Sequence, residues 1–247
     1  MTRACGVQRH ACARYGNARH GRAVRLFPLL VLAALSACRA PPVSRSTAAT
    51  TASPAGAQQW IIDSAASHIW LQLHAEGALA RLGHAHVVVA QQLQGQVWWH
   101  AQLERSQVEL DVPATALLVD DPGERARAGG EFSEPLDADA RAGTREHMLS
   151  ERQLDAAHYP LISLRSRSVR RDGAQSSIEF QVQLRDHHSL LTVPVQWQQS
   201  AGELRASGSV EFNQTDLGLE PYSALLGALR VADRIAARFE IVAHRAR

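Results

Sequence analysis

Cysteine is nearly absent from this chain, and the three that occur, Cys5, Cys12 and Cys38, all lie close to the amino terminus. The remaining sequence therefore cannot form a disulfide, a cysteine-ligated zinc site or a thiol nucleophile. The chain also lacks a basic excess, because 26 arginine and lysine residues stand against 24 acidic residues. Much of the small surplus falls within the first 45 positions, so the folded part has no charge signature of a nucleic-acid-binding protein.

An apolar run long enough to span a bilayer is also missing. Residues 26–35 form a short apolar run after a basic region, which is typical of a secretory signal. The run ends in Leu35-Ser36-Ala37-Cys38, the pattern of a bacterial lipobox, in which the thiol of Cys38 carries a lipid. The alternative is an ordinary signal peptide that is cleaved at Ala40 or a later alanine.

These features predict three segments. Residues 1–37 are expected to be a lipoprotein signal peptide, and residues 38–58 a disordered tether of Ala, Ser, Thr and Pro that cannot bury enough surface to fold. Residues 59–247 leave about 190 residues, which suits one domain. Arg39, rather than Asp, follows Cys38, so we expect a lipid-anchored, periplasm-facing protein of the bacterial cell envelope, sorted to the outer membrane.

Apolar residues in the domain alternate with polar ones, which is the period of a β-strand. Ile69 and Leu71 share a face in this way, as do Phe180 and Val182. Such runs recur around residues 69, 86, 95, 108, 163, 180, 194, 207 and 238, with turn-forming residues between them. Eight or nine antiparallel strands are enough to close a barrel, so the prediction is an all-β fold.

A barrel of about eight strands can hold one small or elongated ligand. The residues expected to line its interior and bind that ligand are apolar: Ile69, Leu71, Phe180, Val182, Val195, Trp197 and Phe212. The alternative is that these side chains pack as a solid core.

Two segments interrupt the alternation. Residues 120–160 are predicted to begin as a charged loop and to continue into a short helix from Thr144, which could cap it, to Leu154, with Pro160 ending the element. Residues 221–229 are apolar and compatible with a second helix that begins at Pro221. We expect these one or two short helices to lie across a barrel mouth.

His84 and His86 are two residues apart, immediately before the apolar run Val87-Val88-Val89. In an extended strand both would point the same way, so they are candidate ligand-binding residues. They could instead belong to a hydrogen-bonded strand edge, or share a metal with His147 or Asp120 in a hydrolase or oxidoreductase. A pair of histidines is too few ligands for a metal site, and the sequence contains no known catalytic motif.

Several segments resemble the YceI-like family of bacterial secreted and periplasmic proteins. They are the opening at residues 60–68, the Leu-Gly-His-Ala-His segment at 82–86, the strand around Gly95, residues 144–149, residues 154–162, and the close at residues 212–219. The resemblance implies a lipocalin-like antiparallel β-barrel whose apolar interior holds a long isoprenoid or similar amphiphile, often as a homodimer. Residues 184–190 depart from the turn typical of the family, and the Gly-His-Ala-His segment is characteristic of a divergent branch.

The expected function is therefore binding of a polyisoprenoid-like lipid, with no catalysis, no cofactor and no metal. A metal-binding envelope enzyme that uses His84 and His86 is the alternative. A third interpretation is an assembly factor that contacts another envelope protein, with His187, His188 or the Asp120-Asp121 loop as a contact or pH-sensitive site. For His187 and His188 the simpler interpretation is a solvated turn.

Overall fold

The structure is a computed structural model, and it describes residues 54–173 and 175–246. The predicted signal peptide, Cys38 and all but the last residues of the predicted tether lie outside the described residues. None of the helices in the described part of the chain is long and apolar enough to cross a membrane.

The described chain is dominated by antiparallel strands, with two α-helices between the sixth and seventh of them. The strands are β1 (Gln58–Ile62), β2 (His68–Glu76), β3 (His86–Ala90), β4 (Gln94–Trp99), β5 (Gln107–Pro113), β6 (Leu117–Val119), β7 (Leu161–Asp172), β8 (Gln175–Leu184), β9 (His187–Gln199), β10 (Glu203–Asn213), β11 (Ser223–Ala224) and β12 (Leu229–Arg245). The helices are α1 (Pro122–Ala128) and α2 (Ala138–Leu149).

The sheet closes on itself as an eight-stranded barrel, which confirms the predicted fold class. β12 pairs with β1 near its carboxyl end and with β2 along the rest of its length, so β1 and β2 act as one interrupted strand. β3 with β4, and β5 with β6, are interrupted in the same way. The five other barrel strands are β7, β8, β9, β10 and β12. Closure removes the free edges that an open sheet would expose.

Strict alternation of apolar and polar residues explains which side chains of each strand point into the barrel. Every second residue of β5 is buried, and β8 buries Ile178, Phe180, Val182 and Leu184 while its intervening residues remain more exposed. These inward side chains form one continuous cluster inside the barrel. β3 is buried on both faces, because Val87 and Val89 pack outside the barrel beneath α1, which accounts for its unbroken apolar run.

Both helices differ from the sequence prediction. Asp121 caps α1 by accepting the N–H groups of Gly123 and Glu124, so the segment predicted as a charged loop is helical. Asp137, and not Thr144, caps α2. α2 also ends at Leu149, well before the predicted end at Leu154, because residues 150–158 form turns. The aspartate caps therefore determine where the two helices begin, and the helical spacing after Thr144 does not.

The predicted second helix at residues 221–229 is absent. Its residues form the short strand β11 and a single 3₁₀ turn over Leu225–Gly227. Leu225 and Leu226 have φ angles of 51° and 57°, in the left-handed region that a continuing right-handed helix excludes. The segment does lie at a barrel mouth, as expected, because Tyr222 lines the interior.

One wall of the barrel is only partly hydrogen-bonded. β9 and β10 pair from Leu204 opposite Gln199 to Ser207 opposite Gln196, and their ladder ends there. Pro194, the next position of β9 to face this ladder, has no N–H to donate. Beyond this point residues 187–195 pair only with β8, and residues 208–213 pair only with β12, among the described strands. We call this stretch the seam.

Candidate functional site

The barrel interior is not filled by its own side chains. It encloses a cavity of about 560 Å³, within the range of small-molecule binding sites. All seven apolar side chains predicted to face inward line this cavity: Ile69, Leu71, Phe180, Val182, Val195, Trp197 and Phe212. Their assignment as ligand-binding residues stays a prediction, since the structure contains no ligand.

The strand register places different features at the two ends of the barrel. At one end, which we call the hairpin end, β4 connects to β5 and β9 connects to β10. Trp99 and Trp197 meet there edge to face, with ring centroids 5.3 Å apart. The indole N–H of Trp197 is buried and has no hydrogen-bond partner among the described residues. This end of the barrel is therefore aromatic, and the indole of Trp197 leaves an unused donor in the cavity lining there.

The opposite end, which we call the helix end, is where the cavity reaches the surface. Its exposed lining residues, Ala140, Gly143, His147 and Tyr222, all come from α2 or from the segment before β11. The rings of His147 and Tyr222 meet edge to face with centroids 4.5 Å apart. Gln153 Nε2 also donates to the carbonyl of Glu220 over 2.9 Å. These contacts hold the two covering segments together across the mouth.

A buried polar network lies beside the same end of the cavity. His86 is the first residue of β3 and lines the cavity with Val88 and Ala90, which share its face. Its Nδ1 lies 2.6 Å from Oδ2 of Asp120, whose side chain is fully buried. The second carboxylate oxygen, Oδ1, accepts the guanidinium of Arg125 at 2.7 Å and the N–H of Val87 at 2.9 Å. Both oxygens of the carboxylate are therefore satisfied.

Arg125 connects this network to two loops. It is buried in α1 and donates to the carbonyls of Ala85 and Glu134 as well as to Asp120. Asp120 itself has a φ angle of 51°, a left-handed conformation that aspartate tolerates better than most residues. This backbone turn after β6 directs the carboxylate toward the first two residues of β3.

The environment keeps the Asp120 carboxylate ionised. Burial alone raises its pKa, but the hydrogen bonds that it accepts from His86, from the N–H of Val87 and from Arg125 outweigh burial. The net pKa lies below the ordinary value of 3.8. A carboxylate in this state can only accept hydrogen bonds, so the Nδ1 of His86 must carry a proton.

The structure separates the two histidines that the sequence suggested as a pair. β3 begins at His86, and the chain has left the barrel wall by His84, which is exposed and does not line the cavity. His147 lies on α2 and lines the cavity, but Asp120 bonds directly to His86. No group of three or more histidine, cysteine, aspartate or glutamate side chains suited to a metal occurs among the described residues.

His187 and His188 lie at the exposed beginning of β9. The two-residue turn before them places Arg185 at a φ of 58°. His188 Nδ1 lies 3.3 Å from Nε2 of Gln181 on the neighbouring strand. Neither histidine lines the cavity.

Arg125 is the functional-site residue that sequence reasoning missed. It lies in a segment with several arginines, and burial distinguishes it from Arg127, whose side chain is mostly exposed and pairs with Glu124. Asp121 is a favourable helix cap and could have indicated the start of α1. A helix that begins there places Arg125 within one turn of Asp120.

Comparison with known proteins agrees with this architecture. The YceI-like domain model matches residues 60–243. A search of curated proteins finds no match.

Among the solved structures that are similar to this chain, one with a TM-score above 0.5 shares its fold at low sequence identity. BcnA from Burkholderia cenocepacia is 12% identical, with a TM-score of 0.54, and the alignment covers 73% of this chain and 98% of BcnA. A cysteine variant of the Campylobacter jejuni YceI protein is 8% identical, with a TM-score of 0.48 and coverage of 65% and 85%. Another crystal structure of the C. jejuni protein is 9% identical, with a TM-score of 0.42 and coverage of 57% and 73%.

Proposed function

Since this chain belongs to the YceI-like family, we propose that it binds a polyisoprenoid-like lipid or a similar amphiphile inside its barrel. The observation that carries this proposal is the cavity of about 560 Å³ walled by inward-facing aliphatic and aromatic side chains. Such a wall offers an apolar tail a place away from water, and burial of apolar surface drives binding. A barrel of about eight strands can hold one small or elongated guest.

The guest would enter at the helix end. The exposed lining residues are confined to that end, and the hairpin end is closed by Trp99 and Trp197. α2 and the segment around Tyr222 cover the mouth with few strand hydrogen bonds of their own, so they can move without disturbing the barrel ladder.

The proposed setting is the cell envelope. The sequence Leu35-Ser36-Ala37-Cys38 after an apolar run supports lipidation of Cys38, and Arg39 supports sorting to the outer membrane. A lipid-anchored carrier would face the periplasm close to its membrane-derived ligand, alone or as a homodimer. The Cys38→Ser variant of the full chain tests this setting. We expect it to lose the acyl groups on its amino-terminal peptide and to leave the membrane fraction, and an unchanged peptide mass would contradict lipidation.

Native mass spectrometry of the protein purified without added detergent or metal tests the binding function. We expect a bound mass of several hundred daltons that denaturation releases as a lipid. A protein that remains empty after incubation with farnesol would contradict the proposal. A bound mass that matches a metal and disappears on substitution of His86 would favour the metal-dependent alternative instead.

A further inference from the structure

The two ends of the cavity differ in polarity. Its polar lining side chains, apart from the indole of Trp197, gather at the helix end: His86, Thr144, His147, Gln153, Gln214 and Tyr222. Thr144, Gln153 and Gln214 each donate to a backbone carbonyl, at 2.9, 2.9 and 2.8 Å. A hydrogen-bonding head would therefore lie at the helix end, with an apolar tail running toward the tryptophans.

His86 differs from the other polar residues of this end, because its support is buried and charged. The Asp120 carboxylate takes the Nδ1 proton, and Arg125 and the Val87 N–H occupy the other carboxylate oxygen. Among the described residues nothing hydrogen-bonds Nε2 of His86, although the ring lines the cavity. A ring fixed through one nitrogen presents the other in a defined direction.

The contacts of the network indicate which ring nitrogen of His86 carries the proton. Asp120 pairs with Arg125 at 2.7 Å through one oxygen and accepts the Nδ1 proton of His86 through the other. With the proton on Nδ1, a neutral imidazole has a lone pair on Nε2 and accepts a hydrogen bond there. An acceptor in an apolar cavity selects a guest that can donate to it, because a group that cannot donate leaves the nitrogen desolvated and unpaired.

We propose that Nε2 of His86 is the head-group acceptor of the cavity and that it selects amphiphiles with an uncharged hydroxyl head, such as a prenyl alcohol or a phenol. This inference rests on the proposed function and adds the chemical class of the head and its orientation. Asp120 and Arg125 act as positioning residues, since they fix the imidazole without reaching the ligand themselves.

Three probes with the same tail test this assignment: farnesol, farnesyl methyl ether and farnesyl phosphate. Their affinities are measured on the full chain by displacement of a fluorescent apolar dye. In the ether a methyl group replaces the hydroxyl proton, so the oxygen is kept and the donated proton is lost. We expect farnesol to bind about tenfold more tightly than the ether, the size of one net hydrogen bond in a dry site. We also expect the phosphate to bind no more tightly than farnesol.

Two variants separate the roles of the ring nitrogens. In His86→Asn the amide N–H can still donate to Asp120, but the shorter side chain places no acceptor at the position of Nε2. We expect this variant to lose the preference for farnesol over the ether and to keep its affinity for the ether within about twofold. In His86→Gln the longer side chain can place an amide oxygen near the Nε2 position, and we expect part of the preference to return.

His84→Asn is the matched control, because His84 is exposed and does not line the cavity. It should leave all three affinities unchanged. A farnesol preference that persists in His86→Asn would overturn the proposal. A preference lost in Trp197→Phe instead would reverse the orientation of the guest, and tighter binding of the phosphate that depends on His86 would replace the hydroxyl class by an anion.

The failure of the proposed function has a different signature. If none of the three probes displaces the dye from the unmodified protein, the cavity does not take prenyl guests, and both the function and this assignment are wrong. If farnesol and the ether bind equally well, the lipid-binding function stands and the assignment of His86 is wrong.

Discussion

Arg125 and Asp120 form an ion pair of 2.7 Å in which both side chains are almost completely inaccessible to solvent. Removing one member of a buried pair leaves the other charge desolvated, which is far more costly than loss of a surface pair. Arg125 also donates to two backbone carbonyls, which would lose a hydrogen bond if an apolar side chain replaced the arginine. The pair therefore has a role in stability that can be measured apart from ligand binding.

We expect Arg125→Met to lower the free energy of unfolding by about 3 kcal/mol or more. The measurement is urea unfolding followed by circular dichroism. Arg127→Met is the matched control on the same helix, because the Arg127 side chain is mostly exposed and its pair with Glu124 should contribute less than about 1 kcal/mol. Equal losses in the two variants would contradict the importance of the buried pair.

The lowered pKa of Asp120 predicts a pH dependence of stability. Its folded-state pKa lies below the ordinary value of 3.8, so its contribution is complete above that value and is lost as the pH falls through the folded-state pKa. Asp120→Asn removes this titration and keeps the side-chain shape. We expect the stability difference between the unmodified protein and this variant to shrink as the pH falls below about 4. A difference that stays constant from about pH 4 downward would refute the prediction.

Filling the cavity should reduce ligand uptake without unfolding the barrel. Phe180→Trp adds volume at an inward position of β8, and we expect the affinity for farnesol to fall about fivefold or more because the larger ring takes up space in the cavity that the ligand would occupy. Gln183→Trp lies on the same strand, faces solvent and serves as the control. Both variants should retain the far-ultraviolet circular dichroism of the unmodified protein. Undiminished uptake by Phe180→Trp would argue against a binding role at this position.

Gly95 allows β4 to approach β5 more closely than any other residue could. Its φ is 156°, and a Cβ atom at this position would lie 2.2 Å from the carbonyl oxygen of Glu109. We expect Gly95→Ala to destabilise the barrel by about 1–3 kcal/mol in urea unfolding. At Gly202 a Cβ would meet no atom within 4 Å, so Gly202→Ala should be nearly neutral, and a neutral Gly95→Ala would contradict this account.

The barrel and its inward face could be predicted from the sequence because a period of two determines which side chains share a face. Ile69, Leu71, Phe180 and Val182 therefore all line the cavity as expected. Closure was also predictable, since the number of alternating runs matched a small barrel. Whether the interior would be empty depends on how side-chain volumes sum around eight strands, and alternation contains no information about that.

The polar part of the site was harder to predict, because it depends on three separate elements. His86 was recognised, but its partner Asp120 was expected as a metal ligand or as part of a contact or pH-sensitive loop, and Arg125 was not recognised. The pairing of His84 with His86 assumed that the strand extends back to His84, whereas β3 begins at His86. Strand boundaries and tertiary contacts across 34 or more positions are invisible to local spacing.

Because of the seam between β9 and β10, the barrel wall is easier to open on one side than on the others. Widening the wall between β8 and β9 would break hydrogen bonds along nine residue pairs, whereas widening it along the seam would break no ladder bond between β9 and β10. Thermal breathing of the cylinder should therefore concentrate on this side, and amides that face the seam should exchange with deuterium sooner than those of the β7–β8 ladder. The barrel can therefore widen along the seam while all of its paired strands stay paired.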